Sequence, residues 1–93
     1  MMDGQNYIDI CKRLVMDYTN AHLDKTDNAG ISANDVYVVW MCKTLQNCKA
    51  LLSTPLPDGM YYELTLNGDK HEIYLDAYKK FENKCIKLED SHK

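Results

Sequence analysis

Residues 60–74, MYYELTLNGDKHEIY, decide the fold, because Asn67 and Gly68 separate two segments in which apolar and polar residues alternate. Alternation with a period of two is typical of β-strands, and an Asn-Gly pair between such segments is the strongest short-range signal for a β-hairpin. A two-residue type I′ turn needs positive φ at both central positions, which Asn tolerates and Gly adopts freely. We therefore predict strands at about 60–66 and 69–74.

The register of this predicted hairpin assigns each side chain to a face of the sheet. With Asn67 and Gly68 as the loop, Tyr62 lies opposite Ile73, and Tyr61 lies opposite Tyr74. Since successive side chains of a strand point to opposite faces, these pairs lie on different faces. We expect Tyr62, Leu64 and Ile73 to face the core, and Tyr61 and Tyr74 to form an aromatic pair on the reverse face.

Residues 36–45 are predicted to form the first strand, since they begin with the β-branched and aromatic sequence VYVVW. A helix is the alternative, because Ser32 and Asp35 have the spacing of a helix capping box. The strand is the preferred interpretation. The chain then turns at residues 46–47 and returns as a second predicted strand over 48–54, which ends before two prolines.

The two ends of the chain have the apolar spacing of amphipathic helices. Residues 6–23 are predicted to form the first helix, with its apolar stripe at Tyr7, Ile10, Cys11, Leu14, Tyr18 and Ala21. Residues 75–87 are predicted to form the second, with a stripe that contains Ala77, Tyr78, Phe81 and Cys85, and a frayed tail follows over 88–93. The predicted fold class is α+β: a helix, a four-stranded antiparallel meander and a C-terminal helix, with both helices packed on one face of the sheet.

Length and charge restrict the class of protein. The 93 residues suffice for a single domain, residues 1–93, with its own core. The net charge of −3 disfavours strong non-specific binding to nucleic acid, which requires a net basic surface. The longest apolar run, residues 36–42, is far shorter than the roughly 20 residues of a membrane span, and no secretory signal is visible. We expect a cytoplasmic protein with reduced cysteines and no membrane contact.

No motif of a metal or cofactor site is present in the sequence. The four cysteines, Cys11, Cys42, Cys48 and Cys85, include no Cys-x-x-Cys pair, so we interpret them as small apolar residues and predict no metal site. Residues 24–35 have the length of an EF-hand loop, but an alanine occupies the position of the invariant glycine. A solvated polar loop is the better interpretation.

No catalytic motif is present either. In the predicted register Glu63 lies opposite Glu72, and two adjacent carboxyl groups can act as a general acid and base because their pKa values separate. No phosphate-binding loop or second acidic cluster accompanies them, so a solvated surface balanced by Lys70 is the preferred interpretation. We therefore predict no cofactor and no enzymatic activity.

Long segments of the chain resemble an uncharacterised family of small proteins from phages and prophages of Gram-positive bacteria. The segments are DVYVVW (35–40), KTLQN (43–47), KAL (49–51), DGMYYE (58–63), NGDK (67–70) and YLDAYKKFEN (74–83). The resemblance extends from about residue 22 to residue 83 and covers most of the chain. It implies a phage or prophage origin and expression in a bacterial cytoplasm, and it implies no activity.

We expect a binding protein whose partner is a host or phage protein, or a second copy of the chain. If both helices pack on one sheet face, the residues left for the uncovered face are Val38, Trp40, Tyr61 and Tyr74, and Trp and Tyr are enriched at protein interfaces. The alternative is a nucleic-acid-binding module that uses the sheet aromatics together with three lysines on one edge of the C-terminal helix. These lysines are Lys80, Lys84 and Lys87.

Overall fold

In the described part of the chain, one helix packs against a four-stranded antiparallel sheet. The computed structural model describes residues 4–23, 30–44 and 47–89. Its elements are helix α1 (Gly4–His22), a 3₁₀ turn (Ala33–Asp35), and strands β1 (Tyr37–Thr44), β2 (Asn47–Ser53), β3 (Met60–Asn67) and β4 (Glu72–Lys79). The strands lie in sequence order in one sheet and pair antiparallel. The α+β class, the N-terminal helix and the meander are thus confirmed. In the described part of the chain, no helix has the length and apolarity to cross a membrane.

Three sequence predictions fall partly outside the described residues. Residues 24–29, which are half of the predicted polar loop over 24–35, and residues 90–93 of the predicted frayed tail are not described, and neither is Gln46 of the predicted first turn. The other member of that turn, Asn47, is already the first residue of β2, where it pairs with Thr44.

Helix α1 forms because its apolar residues recur every four positions. Its buried residues are Tyr7, Cys11, Val15 and Thr19. This row is rotated from the predicted stripe, since Ala21 is exposed. Side chains four residues apart lie one above the other on a helix, so the buried row defines a single narrow contact line with the sheet.

The core lies between α1 and the two central strands. The buried sheet residues that meet the helix come from β2 (Cys48, Ala50, Leu52) and β3 (Tyr62, Leu64, Leu66). An α-helix with its side chains is about 10 Å wide, and neighbouring strands are about 4.8 Å apart, so one helix covers about two strands. The corresponding side chains of the outer strands are therefore less covered: Met41 of β1 is exposed, and Ile73 and Leu75 of β4 are half-buried. We call the helix-covered side of the sheet the inner face and its reverse the outer face.

Side-chain hydrogen bonds connect α1 to the segment that enters the sheet. The amide of Asn20 donates from Nδ2 to the carbonyl of Ile31 at 3.0 Å, and the Ile31 N–H donates to Asn20 Oδ1 at 2.9 Å. Ile31 is itself buried in the core. The chain is thereby positioned against the helix just before β1 begins.

The capping-box spacing of Ser32 and Asp35 and the strand-forming sequence after it both correspond to observed structure. The Ser32 N–H donates to Asp35 Oδ2 at 2.9 Å, as in a capping box, but it caps only the single 3₁₀ turn Ala33–Asp35. Strand β1 then begins at Tyr37. The prediction of a strand is correct for residues 37–44 and the helix alternative is wrong, because the β-branched and aromatic residues after the cap pair with β2.

A β-bulge in β1 changes the faces of two valines. The pairing shifts between Val38, which lies opposite Leu52, and Trp40, which lies opposite Leu51. The extra residue, Val39, is 46% exposed, whereas Val38 packs against the core. Placing Val38 on the uncovered face was therefore wrong, because strict alternation does not hold where one strand contains an unpaired extra residue.

The β3–β4 hairpin has a longer loop than the Asn-Gly pair predicts. Asn67 pairs with Glu72, which leaves residues 68–71 as the loop. The Asn67 side chain accepts hydrogen bonds from the N–H groups of Asp69 (3.2 Å) and Lys70 (3.4 Å), and His71 has the positive φ of 52°. An asparagine side chain that accepts hydrogen bonds from the N–H groups that follow it stabilises a loop of this kind. Because the loop contains residues 68–71 and not the Asn-Gly pair alone, the predicted two-residue type I′ turn is wrong.

The longer loop moves the register by four residues without exchanging the faces. Tyr62 lies opposite Ala77 instead of Ile73, and Tyr61 opposite Tyr78 instead of Tyr74. A shift by an even number keeps each side chain on its own side of the sheet. The assignment of Tyr62 to the core is correct, with 2% exposure, although its predicted partner was wrong.

The predicted C-terminal helix over 75–87 is wrong. Residues through Lys79 belong to β4, and residues 80–89 adopt neither helix nor strand, with every side chain exposed. The register explains this outcome, since the first residue of β3, Met60, lies opposite Lys79. With a two-residue loop Met60 would have paired near residue 75, and β4 would have ended there. Within residues 4–23, 30–44 and 47–89, one helix and not two therefore covers the inner face.

Candidate functional site: the uncovered sheet face

The outer face of the sheet carries a concentration of aromatic side chains. From Trp40 onward, successive side chains of each strand alternate between the two faces, and before the bulge Tyr37 pairs with Ser53. The strand pairing therefore identifies the residues of the outer face. Its large apolar residues are Tyr37, Trp40, Leu51, Tyr61, Tyr74 and Tyr78. Its charged residues are Lys49, Glu63, Glu72 and Asp76.

Three of the aromatic residues lie in a single row across the strands. Tyr37 lies opposite Ser53, Ser53 opposite Tyr61, and Tyr61 opposite Tyr78. Ser53 is buried among them and donates from Oγ to the carbonyl of Met60 at 2.8 Å. A small hydrogen-bonded residue between tyrosines leaves their rings accessible: Tyr37 is 48% and Tyr78 52% exposed.

The next two rows contain the remaining aromatics and most of the charge. Trp40 lies across from Leu51, which neighbours Glu63, and Glu63 neighbours Asp76. In the following row Lys49 lies beside Thr65, and Thr65 beside Tyr74. Trp40 and Tyr74 are 41% and 54% exposed. The outer face therefore presents rings at both edges with a carboxylate near its centre.

Glu63 organises the polar contacts at the centre of the face. Its Oε2 lies 3.7 Å from Lys49 Nζ, and its Oε1 accepts a hydrogen bond of 3.3 Å from the Tyr78 hydroxyl. The Tyr74 hydroxyl donates to Glu72 Oε1 at 3.0 Å. The negative charge of Glu63 raises the pKa of Tyr78, and the hydrogen bond to Glu72 raises the pKa of Tyr74. Both hydroxyls thus stay protonated and act as donors to carboxylates near neutral pH.

Two shallow depressions lie on this side of the molecule. One, of about 560 Å³, extends across the sheet from β1 to β4. Its border includes Trp40, Cys42, Lys49, Thr65 and Tyr74. The other, of about 480 Å³, is bordered by Tyr37, Tyr61, the 54–57 segment and Lys80. Both are open, which fits contact with a protein surface better than enclosure of a small ligand.

The chemistry of the described residues offers few catalytic groups. Burial raises the pKa of the Cys11 thiol to about 11, so this cysteine is protonated and a poor nucleophile at neutral pH. Glu63 lies opposite Asp76 and not opposite Glu72, so the predicted carboxylate pair does not form. No group of three or more His, Cys, Asp or Glu side chains suited to a metal ion occurs in residues 4–23, 30–44 and 47–89.

The structure brings together three of the four residues proposed from the sequence for partner binding. Trp40, Tyr61 and Tyr74 lie on the outer face, whereas Val38 packs against the core. The three lysines of the nucleic-acid alternative do not lie on one helix edge, because residues 80–89 are not helical.

Sequence reasoning missed two aromatic residues of the outer face, namely Tyr37 and Tyr78. For Tyr78 the signal was available: Ile73, Leu75 and Ala77 alternate with larger or polar neighbours through residues 72–78. The same residues also fit a helical stripe equally well, so local spacing does not decide between a strand and a helix there.

Comparison with known proteins identifies a family and no characterised relative. The model of DUF6275, a family of unknown function, matches residues 8–88. No curated protein and no solved structure matches the chain. The match includes α1 from Ile8 onward, the entire sheet and nearly all of the described segment that follows β4.

Proposed function

Because the chain belongs to the DUF6275 family of unknown function, we propose its function from the surface it exposes: it is a non-enzymatic protein-binding module that uses the outer face. The observation that carries this proposal is the exposure of Trp40, Tyr37, Tyr74 and Tyr78 on one uncovered side of the sheet. Exposed apolar patches of this kind mark interaction sites on soluble proteins, and Trp and Tyr dominate the energy of protein interfaces.

The tyrosines suit a protein partner because each combines a ring with a hydroxyl. Tyr74 and Tyr78 hold their hydroxyls on the carboxylates of Glu72 and Glu63. These contacts restrict the rings before binding, so less side-chain entropy is lost when a partner packs on them. Trp40, at the centre of β1, provides the largest single apolar contact.

The charge of the face favours a partner with basic groups. Glu63, Glu72 and Asp76 lie among the rings, and Lys49 is the basic residue in the same rows. Carboxylates at this density repel a phosphate backbone, which supports a protein partner over nucleic acid. The complementary surface on the partner should place Lys or Arg opposite these carboxylates.

The source of the partner is proposed from the resemblance of the chain to small proteins of phages and prophages. Such a protein acts inside a bacterial cytoplasm, where it binds a host or a phage protein. Occupying a host defence or replication factor is a role that fits its size, by analogy of origin alone. The interaction is inhibition or recruitment by contact and requires no catalytic group.

A capture experiment with two adjacent residues tests the proposal. The tagged chain is incubated with lysate of an infected bacterial host, and a retained protein is then purified and titrated against the wild type, Trp40→Ala and Met41→Ala. Met41 is the matched control, because it is exposed on the same strand but lies on the inner face. We expect Trp40→Ala to weaken binding at least roughly tenfold and Met41→Ala to leave it unchanged.

Two results would contradict the proposal. One is that the retained protein binds Trp40→Ala as well as the wild type. The other is a gel shift with nucleic acid that weakens steeply with salt, which would support the nucleic-acid alternative instead.

A further inference from the structure

The segment after β4 exposes large apolar side chains that its own domain does not cover. Residues 80–89 are all exposed. Phe81 is 97%, Ile86 71% and Leu88 91% exposed. Soluble proteins rarely leave several such side chains in water along one short segment unless a partner covers them. We call residues 80–89 the arm.

The first residue of the arm continues the line of β4 past its last strand pair. The Lys80 N–H donates to the carbonyl of Gly59 at 2.7 Å, which continues the β3–β4 ladder one step beyond the Met60–Lys79 pair. To reach its own outer face, the arm would have to reverse direction. Residues 80–89 contain neither glycine nor proline, the two residues that most strongly favour a tight reversal, and Asn83 is the one turn-favouring residue among them.

The dimensions of the molecule agree with an arm that projects from the domain. The radius of gyration is 16.4 Å, whereas about 12 Å is expected for a compact chain of this length. Ten extended residues span up to about 33–36 Å, and an eight-residue strand about 27 Å. The arm is therefore long enough to cross the whole sheet of another molecule.

The arm and the outer face are complementary in chemistry. The arm combines its exposed apolar residues with Lys80, Lys84 and Lys87 against Glu82 and Glu89. The outer face combines exposed rings with Glu63, Glu72 and Asp76 against Lys49. Each surface thus offers apolar contact, and their net charges are of opposite sign, which favours association in a defined orientation.

We propose that the arm of one chain docks across the outer face of a second copy, so that two chains exchange arms in a dimer. This inference rests on the proposed function in one respect, namely that the outer face binds protein. In a two-fold symmetric dimer each copy contributes one arm and one outer face, so both arms and both faces are covered. The assembly is then closed at two copies. The face of a free copy is then also the site at which a foreign protein competes with the arm.

Measurement of mass in solution tests the association directly. Light scattering after size exclusion, over a range of concentrations, should give a dimer for the wild type and a monomer for the double variant Phe81→Ser, Leu88→Ser. Loss of two buried apolar anchors should raise the dissociation constant on the order of a hundredfold. Asn83→Ser, in the same arm, is the control and should remain dimeric. Since all three side chains are exposed, circular dichroism of the variants should match the wild type.

Fluorescence of the single tryptophan then locates the docked arm. Trp40 is the only tryptophan and lies on the outer face. A synthetic peptide of residues 79–89 is added to the monomeric double variant, and the emission of Trp40 should move to shorter wavelength as the ring is covered. The same peptide with Phe81→Ser and Leu88→Ser should leave the emission unchanged.

The possible outcomes separate this inference from the proposed function. A wild type that is monomeric at every concentration overturns arm exchange, and so does a dimer that the arm substitutions leave intact. If the monomeric double variant still captures a foreign protein that Trp40→Ala does not, the proposed function stands independently. Arm exchange with no foreign partner would make self-association the whole role of the face and overturn the proposed host or phage partner.

Discussion

The hydroxyl of Tyr7 donates a hydrogen bond of 2.6 Å to the main-chain carbonyl of Leu64, 57 residues later in the chain. The same hydroxyl lies 3.3 Å from the carbonyl of Cys48 on the neighbouring strand. Tyr7, in the first turn of α1, thereby contacts both central strands, β2 and β3. The contact orients the helix over β2 and β3, and so determines which side of the sheet stays uncovered.

Replacing Tyr7 with Phe should lower the free energy of unfolding by about 1–3 kcal/mol, because a buried hydrogen bond is lost while the ring still fills its site. The measurement is urea denaturation followed by circular dichroism. Tyr74→Phe is the control, since it removes an exposed hydrogen bond to Glu72 and should change stability by less than about 0.5 kcal/mol. Equal losses of stability in the two variants would contradict the prediction, because the buried hydrogen bond of Tyr7 would then contribute no more than the exposed one of Tyr74.

Stability should decrease in alkaline solution because of Cys11 and Tyr7. Burial raises the pKa of Cys11 from 9.0 to about 11 and raises the pKa of Tyr7 above 10.0. Well below pH 9 the thiol is protonated in both states and contributes no pH dependence. Above it the unfolded chain ionises first and binds fewer protons than the folded chain, so the free energy of unfolding falls as pH rises toward the folded pKa.

Denaturation at several pH values between 8 and 11 would measure this slope, within the range that the cited pKa values define. Cys11→Ala should make the decrease shallower. Cys85→Ala provides the control, since the Cys85 thiol is exposed and gains no burial on folding. An unchanged slope in Cys11→Ala would mean that another group is responsible.

The bulge in β1 predicts opposite tolerances for adjacent valines. Val38→Asn should destabilise the protein by about 1–3 kcal/mol, because a polar amide would enter the core contact of Val38. Val39→Asn should cost less than about 1 kcal/mol, the cost of lower β-propensity alone, because Val39 is 46% exposed. Thermal unfolding of the pair checks the prediction. A larger loss in Val39→Asn would indicate a regular strand without the bulge.

Replacing His71 with Gly should stabilise the β3–β4 hairpin. His71 has a φ of 52°, a conformation that costs a residue with a Cβ about 1–2 kcal/mol and costs glycine little. After the entropy that glycine adds to the unfolded chain is deducted, a gain of about 0.5–1 kcal/mol is expected. Lys70→Gly, one position earlier in the same loop, should be neutral or destabilising. Stabilisation by both would point to loop flexibility and not to the φ of His71.

The outer face could be predicted largely from alternation along the strands. Tyr61 and Tyr74 were assigned to it correctly although their pairing was wrong, since an even register shift preserves the faces. Val38 could not be assigned, because the bulge that turns it inward depends on how β1 meets Leu51 and Leu52. Tyr78 was missed because residues 72–78 fit a period of two and a helical period equally well.

By itself the sequence determined the α+β class, the N-terminal helix, the meander order and the identity of the core residues Tyr62 and Leu64, because these follow from local spacing and turn chemistry. Only the tertiary structure decided where β4 ends. That limit depends on pairing with Met60, which lies 19 positions before Lys79 in sequence. The Asn67 loop sets the register of that pairing, and the register converts the expected second helix into a strand and an exposed arm. The spacing of apolar residues indicates which side chains can lie on one face of a helix or strand. Which strand a segment pairs with depends on residues that are distant in the sequence.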